Sequence, residues 1–369
     1  MEQGIDLEVM KEDLFTNLPV ELTRDIMRRV SISSILNCMD VCKSWRDLID
    51  EDEFKASYTS RRCLAFSYED IYIVWDDKAC EPLFRFWMSP PYIKHQSSVR
   101  YRVVVDSTDG LLLVRDGRSN ILFVCNPLTC EYVVLPPLPT FSRRCMFGFG
   151  VSRISGQYKI LCGEESGSCH VYTLEGEGSW RSISTLAPGG STVPGAIAAF
   201  VNGNLHWLAS DSEENHLVCC FDLETKLFTS FSLPPRVSDN DILDEYWLCI
   251  LEGRLCLCDH LNGYGVVILW TNNSRDKNDW VKEYTTHLPQ DIKGHVFPLK
   301  VLDNGDLLFA MKVYNRLFNF SKNTKDVVTH SHVQRSIYDY ANIAIYTPNF
   351  LSLKAMGIHN VQSLTYMHY

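Results

Sequence analysis

Four stretches of this chain hold residue types that could do chemistry. Cys258-Asp259-His260 sets a thiol, a carboxylate and an imidazole side by side, a group able to hold a metal ion. Gly163-Glu164-Glu165-Ser166-Gly167 places a serine among glycines, as a strained nucleophile turn does, but without the GxSxG spacing that such a turn requires. Gly148-Phe149-Gly150 and Gly263-Tyr264-Gly265 have the backbone freedom of a phosphate-binding loop without the rest of its fingerprint. His206 and Trp207 stand together in NGNLHWL. Each has a simpler reading. Strand alternation through Leu255, Cys256, Leu257 and Cys258 accounts for the first, a loop for the second, turns or bulges for the glycine pairs, and a strand for His206 and Trp207. The sequence therefore predicts no catalytic constellation, no metal and no cofactor.

The 14 cysteines fall mostly inside apolar runs such as LVCCF and RLCLCD, without paired CxxC spacing, so they read as small buried hydrophobes. Of 369 residues, 46% are hydrophobic and 22% charged, which is globular composition with ample core material. The formal net charge of -10, with Lys and Arg scattered, excludes the basic stripe of a nucleic-acid binder. Purely apolar runs such as Ala196 to Val201 fall far below the roughly 20 residues that cross a bilayer, so no membrane span is predicted. The opening MEQGIDLEVMKEDLF is acidic and unlike a secretory signal. With the unpaired cysteines it points to a cytosolic or nuclear compartment, where the sequons at Asn272 and Asn319 go unused.

Any functional surface must then be carried by the larger elements. At the N-terminus, Pro19 suits a first helical turn, and Leu22, Ile26 and Val30 recur at four-residue steps. Ser31, Ser33 and Ser34 offer capping hydroxyls before a second apolar series, Ile35, Leu36, Met39 and Cys42, then Trp45 and Leu48. Short helices over so few residues cannot bury their apolar surface alone, because units below roughly 40 residues usually need staples or a partner. The head must dock on the rest of the chain or on another protein.

From Arg62 the texture changes to short β-branched and aromatic runs separated by turn residues, the mark of an all-β body. A Gly-x-Leu turn opens an apolar run at Gly110, Gly203, Gly253 and Gly305, and Gly156 in Gly-x-Tyr joins the series. The gaps are about 50 residues, a period typical of propeller blades. Asn126, Asp222 and Ser321 each stand three residues before a Thr and read as starts of tight reversals, about two periods apart. Trp180 and Trp280 fill the matching place in the alternate repeats. The runs near CLAFSYEDIYIVW and NIAIYTPNFLSL are expected to pair and close a ring of about six blades, hiding the sheet edges.

LPVEL, Ile26 with Arg29, Ser34-Ile35-Leu36 and VCKSWRDLI from Val41 to Ile49 together resemble an F-box over its whole length, in the form common among plant F-box proteins. Arg29-Val30-Ser31 replaces the frequent Arg-Leu-Pro, which softens the turn and leaves the apolar face in place. The resemblance implies a grip on a Skp-type adaptor and, through it, a cullin-based ubiquitin ligase. Leu18, Pro19, Leu22 and Ile26 would present one apolar face and Ile35, Val41, Cys42 and Trp45 the rest, with Trp45 the main anchor. An internal helix contact remains the other reading of Ile35 and Cys42.

Residues 62–353 resemble the F-box-associated, kelch-like β domain. The expected fold class is thus α+β multidomain: a tail at 1–12, a small all-α F-box at 13–60, an all-β propeller at 61–355 and a C-terminal tail at 356–369. For target binding the most polar long loop stands out, with Asp239, Asp241, Asp244 and Glu245 beside Tyr246 and Trp247. Such an acidic rim could receive a basic segment, although a solvated turn has the same composition. SPPYIKHQSS and TNNSRDKND are lesser candidates. The expected function is that of a substrate receptor, non-catalytic, joining the adaptor to an unidentified target protein. A stand-alone propeller module for peptide or glycan is the alternative, and a propeller enzyme would need a convergent cluster that the sequence lacks.

Overall fold

The computed structural model describes residues 18–367 except 59, 69–70, 77–80, 89–101, 117–120, 139–144, 165–166, 177, 184–190, 193–196, 214, 235–245, 262–265, 273–278, 289–295, 312–315, 322, 325–326 and 333–342. The chain divides between Arg61 and Arg62 into two compact units.

Among its described residues the first unit holds four short helices: α1 (Val20–Met27), α2 (Ile32–Val41), α3 (Lys43–Asp50) and α4 (Asp52–Ser57). Pro19 precedes α1, and the Thr23 amide is the first to bond back, to the Pro19 carbonyl at 3.0 Å. Helix α1 stops at Met27, so Val30 lies outside the apolar ladder that its spacing predicts. Ser31 caps α2, its hydroxyl accepting the Ser34 amide at 3.3 Å. The stretch EFKASYTSRR contributes α4, where Phe54 is fully buried and stacks on Tyr58 at 5.8 Å.

The second unit forms six antiparallel sheets from its described residues. Blade 1 is ordered Ile343–Tyr346, Cys63–Tyr68, Ile71–Asp76, Glu81–Trp87 and Thr365–Met367. Blade 2 runs Arg102–Thr108, Leu111–Asp116, Ile121–Asn126, Glu131–Val134 and then Gln362–Ser363. Blade 3 comprises Met146–Val151, Tyr158–Gly163, Cys169–Thr173 and Arg181–Ile183. In blade 4, Ala199–Val201 and Ser191–Thr192 both flank Asn204–Ser210, followed by His216–Asp222 and Phe228–Ser232. Blade 5 is Tyr246–Leu251, Arg254–Leu261, Val266–Asn272 and Trp280–His287; blade 6 is Val296–Val301, Leu307–Met311, Arg316–Phe320 and Val327–His332.

First strands of neighbouring blades touch all the way round, from blade 1 through blade 6 and back to blade 1, so the sheets form a closed six-bladed propeller. The two runs expected to close the ring do so, Cys63 facing Tyr346 and Phe66 facing Ile343. Apolar cores fill the spaces between blades: Leu113 and Val124 of blade 2 pack with Phe149 and Ile160 of blade 3, and Leu205 and Trp207 of blade 4 with Leu161 and Val171 of blade 3.

The repeat markers have a common address. Gly110, Gly156, Gly203, Gly253 and Gly305 all lie between the first and second strands of blades 2 to 6. Asp109-Gly110, Asn202-Gly203 and Glu252-Gly253 each hold two successive positive φ values, the hairpin turn whose twist matches the flanking strands. Asn126, Asp222 and Ser321 open the turns between third and fourth strands of the even blades: the Asn126 Oδ1 accepts the Leu128 amide at 2.9 Å, and the Asp222 Oδ1 accepts Glu224 at 2.8 Å. Trp180 and Trp280 stand where the fourth strands of blades 3 and 5 begin. Each indole N–H donates to the end of the preceding blade, Trp180 to Pro136 at 3.1 Å and Trp280 to Ser232 at 3.0 Å.

The C-terminal residues differ from expectation. Instead of a tail at 356–369, Gln362–Ser363 pairs with the outer strand of blade 2 and Thr365–Met367 with that of blade 1. Two open sheet edges accept the returning chain, because each offers unpaired backbone groups.

Candidate functional site

Helix α1 buries Thr23 and Met27 on one side. About a quarter turn away, Leu22 is 52% exposed and Ile26 45%, one directly above the other at i, i+4 spacing. Polar ties hold the buried side inward. Arg24 pairs with Glu51, the Arg28 Nε donates to the Ser57 hydroxyl at 2.8 Å, and the Tyr58 hydroxyl donates to the Val30 carbonyl at 3.2 Å. These contacts join the beginning and end of the head, so α1 cannot roll to hide Leu22 and Ile26 without breaking them.

At the junction of α2 and α3, Val41 is 63% exposed and Cys42 is exposed. Trp45 is half-buried, as is Leu18, and Pro19 is exposed. Ile35, which the sequence places on the outer face, has no exposed surface at all, so it supports the helices from within. Its partner Ile32 one turn earlier is also buried, which sets the inner side of α2. Val20, not singled out from the sequence, is also exposed, on another side of α1 from Leu22. Among the large exposed hydrophobic side chains of the described residues, Val20, Leu22, Ile26 and Val41 all belong to this small head. Fully burying one such side chain is worth about 1.5–3 kcal/mol, so together they hold several kcal/mol available to a partner.

The propeller places the remaining candidates differently. Asp239, Asp241, Asp244 and Glu245 lie outside the described residues, as do SPPYIKHQSS and most of TNNSRDKND. Tyr246 and Trp247 are strand residues of blade 5 and not rim residues: Tyr246 is buried among Leu208, Val218 and Phe231, and Trp247 stacks on Phe297 at 5.0 Å. Their aromatic surface is committed to the contacts between blades.

Cys258 and His260 are also committed. Both are buried and meet the first strand of blade 6, the thiol donating to the Val296 carbonyl at 3.7 Å and the His260 Nε2 accepting the Val296 amide at 3.3 Å. Burial pushes the Cys258 thiol above the usual cysteine range, away from the reactive thiolate. Among the described residues no group of three or more His, Cys, Asp or Glu is placed to hold a metal ion.

Comparison with known proteins matches both units. Residues 88–349 fit the family described as the F-box associated beta propeller domain, and residues 15–57 fit the F-box domain. F-box protein At5g18160 of Arabidopsis thaliana is 27% identical over 325 residues, covering 82% of this chain and 78% of its own length. Putative F-box protein At5g15660 of the same plant is 27% identical over 73% of this chain, which spans 65% of that relative. F-box protein At2g34280, also from Arabidopsis thaliana, is 26% identical over 84% of this chain and 92% of its own.

Proposed function

Because this chain belongs to the F-box associated beta propeller family and carries an F-box ahead of its propeller, we propose that it is the substrate-recognition subunit of a Skp-cullin-F-box ubiquitin ligase. The head docks on a Skp-type adaptor, and the propeller holds a target protein. The chain itself transfers nothing. Its contribution is proximity: a target lysine held near ubiquitin charged on another subunit meets it at high effective concentration. The proposed location is the cytosol or the nucleus.

One observation carries the reading. The exposed apolar side chains Leu22, Ile26 and Val41 lie on a head too small to leave them uncovered at no cost. With Pro19, Cys42 and Trp45 they form the proposed adaptor surface, with Ile35 as internal support. Trp45, already half-buried, offers a pre-ordered aromatic anchor of the type that dominates interface energetics.

The test is binding of purified Skp-type adaptor to the full chain and to a Leu22→Ala, Ile26→Ala, Trp45→Ala variant, both checked for folding by circular dichroism. Tight binding by the wild type and its loss in the folded variant are expected. No binding by the folded wild type would leave a stand-alone propeller module.

A further inference from the structure

Cys249 and Cys256 lie directly opposite each other on the first and second strands of blade 5, close to the Glu252-Gly253 turn that joins those strands. Residues opposed in this way have Cα atoms about 4.5–5.5 Å apart, inside the span of about 4.4–6.8 Å that a disulfide bridges. Both residues are thiols, and a side-chain hydrogen bond joins them. The register thus holds two sulfurs where they can become one bond without moving either strand far.

The two sulfurs have different surroundings. Thr271 faces Cys256 from the third strand with its hydroxyl 3.9 Å from the sulfur, and the Arg254 carbonyl accepts the Cys256 thiol at 3.6 Å. The hydrogen bond from Cys249 lowers the Cys256 pKa against the opposing effect of burial, helped by Thr271, the Leu251 amide and the Arg254 charge. The same bond raises Cys249, so the pair acts as two sulfurs sharing one proton once the first has left. Access is divided as well. Cys256 is buried and packs with Leu307 and Phe309 of blade 6, whereas Cys249 is half-buried and keeps a path to solvent.

Other cysteines of the propeller lack this combination. Cys145 and Cys162 also share a hydrogen bond, but neither has any exposed surface. Cys219 and Cys220 are adjacent on one strand and so point to opposite faces. Burial pushes the Cys125, Cys169, Cys219 and Cys258 thiols up, away from the reactive thiolate. A disulfide between opposed strand residues also draws Cβ atoms from about 4.5–5.5 Å to about 4 Å. Such a bond closes under strain, and strained disulfides are the readily reduced ones.

We propose that Cys249 and Cys256 are a redox-active pair that hydrogen peroxide converts to a reversible cross-strand disulfide, Cys249 being the sulfur oxidised first and Cys256 the one that closes the bond. The pair releases one proton, and proton transfer along its hydrogen bond brings the thiolate to Cys249, the accessible sulfur. That thiolate attacks one oxygen of the peroxide. The O–O bond breaks, leaving Cys249 as a sulfenic acid and releasing hydroxide, which takes up the lost proton as water. The Cys256 sulfur then attacks the Cys249 sulfur, the S–O bond breaks, and the leaving hydroxyl departs as water with the Cys256 proton. Two thiols and one peroxide give one disulfide and two waters, and a dithiol reductant reverses the change by exchange. The proposal is independent of what the head or the propeller binds.

Arg254 lies between the two cysteines, so trypsin puts them on separate peptides that only a disulfide joins. The test treats the reduced, folded full chain with hydrogen peroxide, blocks remaining thiols with N-ethylmaleimide, and reads the tryptic peptides by mass spectrometry with and without dithiothreitol. Peptides linked through Cys249 and Cys256 should exceed any other linked pair by about tenfold or more and vanish with dithiothreitol. Fragmentation of the linked species separates Cys256 from Cys258, which share a peptide, and Cys258→Ser should keep the link. Cys256→Ser should strand Cys249 as a sulfenic acid that dimedone captures. Cys249 and Cys256 both recovered as blocked thiols after peroxide has oxidised the exposed Cys42, a link through Cys258 instead, or other pairs linked in equal amount would overturn the proposal. So would a folded Cys256→Ser variant whose Cys249 takes up no dimedone.

Discussion

The Glu131 carboxylate accepts the backbone amide of Leu353 at 2.7 Å, joining residues 222 apart in sequence. It also accepts the Ser352 hydroxyl at 3.1 Å, and next to it the Asn126 side-chain amide donates to the Leu351 carbonyl at 2.6 Å. These bonds fasten the returning chain to blade 2 before its last residues pair with the outer strands. Hydrogen bonds to a charged group are each worth about 1.5–3 kcal/mol, and leaving the partner amide buried adds a penalty. Glu131→Ala should therefore lower the unfolding free energy by about 3 kcal/mol, read by urea denaturation, with Glu131→Gln losing less. An unchanged urea midpoint would show that the clasp contributes nothing.

Two glycines with the same backbone conformation should respond differently to alanine. Gly253 has φ +75° and open space where a Cβ would go, so Gly253→Ala meets only the left-handed strain of about 1–2 kcal/mol. Gly110 has φ +80°, and a Cβ there would fall 2.0 Å from the Asn349 Oδ1, whose own amide donates to the Asp109 carbonyl at 2.7 Å. Gly110→Ala should cost clearly more than Gly253→Ala in thermal unfolding, because it also displaces the returning chain.

The head should separate support from contact. Ile35→Ala removes a fully buried side chain and should cost about 2–5 kcal/mol, seen as loss of head helicity. Leu22→Ala, at an exposed position, should leave stability within about 0.5 kcal/mol of wild type and weaken adaptor binding instead. Identical effects on both measurements would show that α1 and α2 do not divide the roles in this way.

Stability should also depend on pH through Asp106. A register shift after Val104 aims its side chain at the first strand of blade 3, where it accepts the Phe149 amide at 3.2 Å, and it also accepts the Ser107 amide at 2.8 Å. Burial pushes its carboxyl up to about 7 despite those two donors. The folded state then holds a proton that the unfolded state has already lost. Stability should therefore fall as pH rises from about 4 to about 7 and level off above, the reverse of the usual paired carboxylate. Urea midpoints across that range should show the decline, and Asp106→Asn should flatten it.

Much of this architecture is legible in single residues. The five glycines mark one hairpin per blade because the conformation they require is one that most residues adopt poorly. Five markers describe six blades because blade 1 takes its first strand from the far end of the chain and has no such hairpin. Asn126, Asp222, Trp180 and Trp280 give the two-blade phase through side-chain bonds that are local or reach only the preceding blade. The C-terminal strands are hidden because Gln362–Ser363 and Thr365–Met367 are too short to show alternation. Ile35 is ambiguous because α2 has apolar residues on more than one side, and its inward direction is set by tertiary packing.

Ring closure by a strand from the far end of the chain also imposes a timetable on synthesis. The head emerges first and, if the proposed function holds, can meet an adaptor at once, whereas blade 1 lacks its inner strand until Ile343–Tyr346 has been made. At translation rates of about 5–20 residues per second, the interval is roughly 15–60 s. A product cut short within that interval would carry the proposed adaptor-docking head on an open, edge-exposed body. Such fragments would occupy adaptor without delivering a target, and late stop codons in this chain should therefore act dominantly over the intact protein.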